Sequence, residues 1–268
     1  MTFRTLCGVT AAFAISASGL VGAADFSVPS LSRCLDDMGS SNTSDPKVFN
    51  LNVDDIYYDA EDVRDFAVQA VVNMTENFAS EGSECRTFSQ PMNRETVTCE
   101  EIGGVDACII PSDAGEFIVV RDYVDSANIV LTEYDSDYRY FPKIDAKNDQ
   151  ESLWLPNPSS CYSELLEGLV ESEYFSDSQA YSVDVSNYTY FDDFRYVLAR
   201  STRDVVGNVA AQNEACHVVT EAHPATEAEC LYREGKPSLC GITSTDSGFF
   251  VYISDAETQM HVLFNRWD

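Results

Sequence analysis

The sequence predicts an α+β protein built from two tandem copies of one two-layer unit. Each unit reads as a short helix, a strand, an amphipathic helix and an antiparallel four-stranded meander, stapled by disulfides and related to its twin by a pseudo-twofold axis. Three observations carry this reading. They are the cysteine spacing, a gap-free match between the ends of the two halves, and a change of hydrophobic period inside each half.

Cys34, Cys85, Cys99 and Cys108 are spaced by 51, 14 and 9 residues, and Cys161, Cys216, Cys230 and Cys240 by 55, 14 and 10. Pro29 precedes Cys34 by five residues, as Pro156 precedes Cys161. The segment 113–135 aligns on 246–268 without a gap, with Asp113, Gly115, Phe117, Asp122 and Asp135 identical to Asp246, Gly248, Phe250, Asp255 and Asp268. Apolar character persists at Ile118/Val251, Val120/Ile253, Ile129/Val262 and Val130/Leu263. Self-similarity over this length marks an internal repeat.

From the N-terminus, Arg4 followed by the uncharged run 6–21 and Val21-Gly22-Ala23 fits an export signal, residues 1–23, cleaved before Ala24. The run is too short and too rich in small residues to predict a membrane span. The first repeat then covers 24–135, a link 136–156, and the second repeat 157–268. Each repeat opens with a short helix bearing its first cysteine, beginning near Ser30 and near Ser159, both suited to an N-cap. Extended segments follow at 48–53 and 181–185. Val63, Phe66, Ala67, Ala70, Met74 and Phe78 then line one helical face, and Phe194, Val197, Leu198, Val205 and Val209 repeat the stripe. These stripes predict core. Beyond them, 96–102, 105–110, 116–122 and 128–134 are short runs rich in β-branched and aromatic residues, parted by turn formers, as a meander requires.

Loss of Cys7 with the signal leaves eight cysteines, an even number suited to a disulfide framework in an oxidising compartment. Gly103-Gly104 reads as a two-residue hairpin loop. Pairing outward from Ile102 and Val105 sets Cys99 opposite Cys108, and Cys230 meets Cys240 across a loop centred on Gly235 in the same way. Cys34–Cys85 and Cys161–Cys216 remain, each tying a short first helix to the end of a long one. A bridge of this kind stabilises by roughly 2–4 kcal/mol.

The formal charge of −29, from 45 acidic and 16 basic residues, disfavours nucleic acid and anionic membranes, since like charges repel. It suits a basic protein or cations as partner. Histidine is confined to His217, His223 and His261, without metal-ligand spacing. Cys216-His217 resembles a ligand or nucleophile pair, but Cys216 takes the place of disulfide-forming Cys85. The repeated Asp113-Ala-Gly115 and Asp246-Ser-Gly248 invite comparison with a two-lobed aspartate dyad, yet both join strands of a meander, where Asp and Gly form turns. No acidic cluster has the spacing of a calcium loop, and no phosphate loop, dinucleotide fingerprint or nucleophile elbow occurs. The sequence therefore assigns no catalytic residue, no cofactor and no metal ligand. Tyr57, Tyr58, Tyr138 and Tyr140, set among acids, are the candidate binding surface.

These features predict a periplasmic or secreted binding protein without catalytic function, its sharper form an inhibitor or immunity-type protein for a basic partner. The alternative is a hydrolase with an acidic site in the cleft between the repeats. An enzyme should break the repeat symmetry inside that cleft, whereas a binder should expose an aromatic and acidic patch.

Overall fold

The computed structural model describes residues 26–40, 47–52, 62–121, 126–133, 152–156, 178–185, 197–198, 200–205, 220–224, 228–233, 236–244, 248–255 and 259–266. Helices and antiparallel sheets together make it an α+β protein.

The first half runs β1 (Phe26–Pro29), α1 (Leu31–Ser40), β2 (Val48–Asn52) and α2 (Val63–Phe78). It continues through the one-turn α3 (Glu84–Thr87), β3 (Ser89–Met92), β4 (Thr98–Ile102), β5 (Val105–Pro111), β6 (Gly115–Arg121) and β7 (Ser126–Glu133). The second half supplies β8 (Ser152–Pro156), β9 (Ser178–Asp184), β10 (Thr220–Pro224), β11 (Ala228–Arg233), β12 (Lys236–Ser244), β13 (Gly248–Ser254) and β14 (Gln259–Arg266). Residues 197–198 and 200–205 are helical.

Two five-stranded antiparallel sheets result, ordered β2-β7-β6-β5-β4 and β9-β14-β13-β12-β11. Each is a four-stranded meander with an earlier strand added beside its last. Two small ribbons pair β1 with β3 and β8 with β10. The segment 152–156, read from sequence as the end of a link, thus forms a strand. Its partner lies beyond the reach of local pattern, which is why the link concealed it.

Asp62 starts α2, its carboxylate accepting from the N–H groups of Arg64 and Asp65. Phe66, Ala67, Ala70, Val71 and Met74 of this helix are buried. They pack on Cys108, Ile110, Phe117, Val119, Ile129 and Leu131, one face of the first sheet. Val197, Leu198, Ser201, Thr202 and Val205 are buried in the same sequence pattern, displaced by 131 positions. Ser201 and Thr202 replace Ala70 and Val71, and each hydroxyl returns a hydrogen bond to the carbonyl four residues back. Thr202 also meets the hydroxyl of buried Tyr252, so the polar pair is satisfied.

The opposite faces of the two sheets meet each other. Ile102, Ala107, Ile109, Ile118, Val120 and Val130 form one cluster with Leu231, Leu239, Val251, Ile253 and Leu263. The strands of the first sheet are therefore buried on both sides, which explains the unbroken apolar runs of β5 and β6. The fit is closest where the β4–β5 turn crosses β12. A Cβ on Gly241 would lie 2.7 Å from Ile102 Cγ2 and 2.9 Å from its carbonyl carbon. Glu229 accepts the Gly103 N–H at 2.9 Å in the same place.

Gly103 and Gly104 have φ of 62° and 87°, the left-handed values that a two-residue hairpin turn needs. The register follows from it, Ile102 facing Val105 and Cys99 facing Cys108. Disulfides link Cys34–Cys85, Cys99–Cys108 and Cys230–Cys240, with Cα separations of 4.2, 4.1 and 4.1 Å. Cys85 lies in α3, so the long-range bridge joins α1 to a separate turn rather than to the end of α2. Cys161 and Cys216 lie outside the described residues.

Candidate functional site

Polar groups gather at the seam between the sheets, where the apolar cluster ends at β9, β14 and β7. Alternation along β14 places His261 on the same side as Leu263, toward the first sheet. Across the strand pair, His261 faces Ser182 of β9. The Ser182 Oγ lies 2.9 Å from His261 Nδ1. Nε2 of the same ring lies 2.9 Å from Asp255 Oδ2. The His261 and Asp255 side chains are both 0 % exposed, whereas Ser182 reaches solvent on the edge strand.

Asp255 is held from the other half of the chain. Lys47 Nζ lies 3.1 Å from Asp255 Oδ2 and 3.2 Å from Glu133 Oε2. The Glu133 N–H donates to Asp255 Oδ1 at 3.1 Å. A carboxylate taken out of water needs such partners, because its desolvation is otherwise very costly. Burial pulls the Lys47 ammonium toward a lower pKa, but attraction to Asp255 and hydrogen bonding to it, aided by Glu133, raise it above the ordinary 10.5. Lys47 and Asp255 thus form a charged pair across the seam, with His261 and Ser182 continuing the chain to the surface.

The corresponding position in the first sheet carries amides. Asn50 faces Asn128 across β2 and β7, and Asn50 Nδ2 donates to Asn128 Oδ1 at 3.3 Å. One register site therefore holds Asn–Asn in one sheet and Ser–His in the other. Sequence reading missed this site. Asp255 was visible as the repeat mate of Asp122, and His261 as one of three histidines. Their meeting with Ser182 needs the β9–β14 pairing, made between residues 79 positions apart.

The remaining residues marked by sequence fall elsewhere. Asp113 sits in the β5–β6 turn and closes the start of α1. Its carboxylate accepts from Ser30 Oγ at 2.7 Å, Ser32 Oγ at 2.5 Å and the Ser32 N–H at 3.1 Å, while Ser112 Oγ accepts the Leu31 N–H at 3.1 Å. Partial burial alone would raise the Asp113 pKa; the hydroxyls of Ser32, Ser30 and Ser112 with the Ser32 N–H outweigh it and hold the carboxyl well below the usual range. Its role is structural, as a long-range helix cap. Tyr57, Tyr58, Tyr138 and Tyr140 lie outside the described residues, as do His217 and Asp246.

Elsewhere among the described residues, four further cations pair within the chain. Arg33 pairs with Glu84, Arg94 with Asp62 and Asp65, Arg121 with Asp106, and Arg200 with Asp204. Glu100 and Glu101 stand exposed on edge strand β4. Among the described residues no cluster of three or more His, Cys, Asp or Glu side chains is placed to hold a metal ion. No helix among them is long and apolar enough to cross a membrane.

Comparison with protein-family models, with curated proteins and with solved structures finds no match to this chain.

Proposed function

We propose that this is an exported binding protein, formed by duplication of one α+β unit, whose acidic surface engages a basic partner. The observation that carries the reading is the fate of its few cations. With 45 acids and 16 bases the chain has 29 more carboxylates than cations, and a cation already paired within the chain is less available to a partner's carboxylates. Arg33, Lys47, Arg94, Arg121 and Arg200 are all spent in this way. A surface with so uniform a sign attracts a cationic partner over a distance set by salt and repels nucleic acid and anionic lipid.

Duplication is supported by the like strand orders of the two sheets, by the repeated helix burial pattern, and by β8, which stands to Cys161 as β1 stands to Cys34. The units of this proposal are 24–135 and a second repeat that starts at Ser152 rather than at 157. Disulfides fit an oxidising compartment, periplasmic or extracellular, reached through the signal at 1–23.

The test is capture from the exported proteins of the native host by immobilised mature chain, at low salt and at about 0.5 M salt, where screening is nearly complete beyond a few ångströms. Basic proteins retained at low salt and released at high salt support the reading. Retention of neutral or acidic proteins that withstand salt would refute it.

A further inference from the structure

We propose that the seam carries a serine nucleophile, with Ser182 as the attacking group, His261 as its base and Asp255 holding the base, directed at esters or similarly activated acyl compounds. The proposal is independent of the acidic-surface reading and rests on different residues.

Three properties point to chemistry rather than to packing alone. The first is order: Ser182 Oγ, His261 Nδ1, His261 Nε2 and Asp255 Oδ2 form one relay with two links of 2.9 Å each. A nucleophile bonded to a base, itself oriented by a third group, is the arrangement that activates a weak hydroxyl. Asp255 accepts a hydrogen bond from Nε2–H, which holds the proton on that nitrogen and leaves Nδ1 with a lone pair aimed at the serine. The ring is used in the opposite sense to the common triad, and the chemistry needs only that one nitrogen accept while the other donates.

The second property is the gradient of burial. Asp255 and His261 are fully enclosed, while Ser182 stands at the exposed edge strand. An acyl compound can therefore reach the hydroxyl without entering the core. Lys47 and the Glu133 N–H fix Asp255 from the opposite half, so the orienting group is anchored across the seam.

The third property is asymmetry. If linking an edge strand to its neighbour were the whole role, the Asn50–Asn128 pair already performs it in the first sheet without acid or base. The Ser–His–Asp relay occupies the equivalent register in the second sheet alone, the departure from symmetry expected of an active cleft.

The step balances without a further cofactor. Ser182 Oγ forms a bond to the acyl carbon as its proton passes to His261 Nδ1. The alcohol leaves with that proton, giving an acyl-serine. Water then attacks, passing a proton through Nδ1 to the serine, and releases the acid.

The experiment uses the oxidised mature chain and a fluorophosphonate probe, with peptide mapping of the labelled site and a known serine hydrolase in the same tube as control. The expected result is one phosphonylated residue, Ser182, and no label in Ser182→Ala. His261→Asn, which borrows the amide of the first sheet, should slow labelling by about 10²–10⁴-fold while circular dichroism stays native. Ser182→Ala changes a residue at the solvent-exposed edge strand, with circular dichroism as the check on its fold, and remains decisive even if His261→Asn fails to fold. Absence of label on the wild-type chain, label on another residue, or a labelling rate unchanged in folded His261→Asn overturns the proposal. None of these outcomes bears on salt-sensitive capture of basic proteins, so the two readings fail separately.

Discussion

Lys47 and Asp255, 208 residues apart in sequence, meet at 3.1 Å across the seam, the lysine 19 % exposed and the aspartate not at all. Removing one partner of such a pair strands the other charge in the interior. Lys47→Met should therefore cost about 3 kcal/mol in urea unfolding. Glu133→Gln removes a carboxylate that is 42 % exposed and should cost less than about 1 kcal/mol. Equal losses in the two variants would show that Asp255 does not depend on Lys47.

The same pair sets an alkaline limit. The folded pKa of Lys47 lies above 10.5, so its stabilisation is full below that value and declines as pH rises through the folded one. Burial pushes Tyr181 up to about 12, which acts with the same sign. Comparison with Lys47→Met isolates the lysine: melting temperatures of the two proteins should converge at high pH. A constant gap between them from pH 9 to about 12 contradicts the pairing.

Asp113 gives the opposite sign at acid pH. Its folded pKa lies below the ordinary 3.8, so its contribution is present above that value and is lost as pH falls through the folded one. Asp113→Ala should cost about 1 kcal/mol at neutral pH, as loss of a helix cap does. It should also make the acid melting curve shallower than that of the wild type.

Gly241 permits the close approach of the sheets. Gly241→Ala would press a methyl group to 2.7 Å from Ile102 Cγ2 and against Ile102 backbone, where movement is costly. A loss of about 1–3 kcal/mol is expected, the range for overpacking. Ile102→Ala beside it, which removes Cγ2, should recover only part, since the backbone contact at 2.9 Å remains. An unchanged melting temperature in Gly241→Ala would show that the sheets do not meet there.

What could be read from the sequence was whatever local pattern encodes. The stripe on α2, the strands after it, and the Cys99–Cys108 register from Gly103-Gly104 all depend on neighbours in the chain. The face-to-face meeting of the sheets was partly legible, because β6 reads Phe117-Ile118-Val119-Val120 with no polar alternation. The seam was not. Ser182, His261, Asp255 and Lys47 each look ordinary in their own segment, and only β9–β14 pairing with sheet stacking brings them together. Asp113 shows the converse: its repeat and its turn were evident, but its bond to the start of α1 spans 81 residues.

The last prediction follows from the charge. A compact chain with a formal charge of −29 repels itself, and folding brings those charges closer together than they are in the extended chain. Salt screens this repulsion over about 10 Å at 0.1 M. The melting temperature should therefore rise as salt is added from low ionic strength. The internal ion pairs oppose the trend, but exposed pairs contribute little, and the Lys47–Asp255 pair is too enclosed for salt to weaken strongly. Capture of a basic partner should fall over the same range, since the attraction being screened is between molecules rather than within one. A single salt series followed by melting and by binding thus yields two slopes of opposite sign. A melting temperature that falls with salt would mean that internal attractions exceed the self-repulsion, and the acidic surface would then be far less dense than the composition requires.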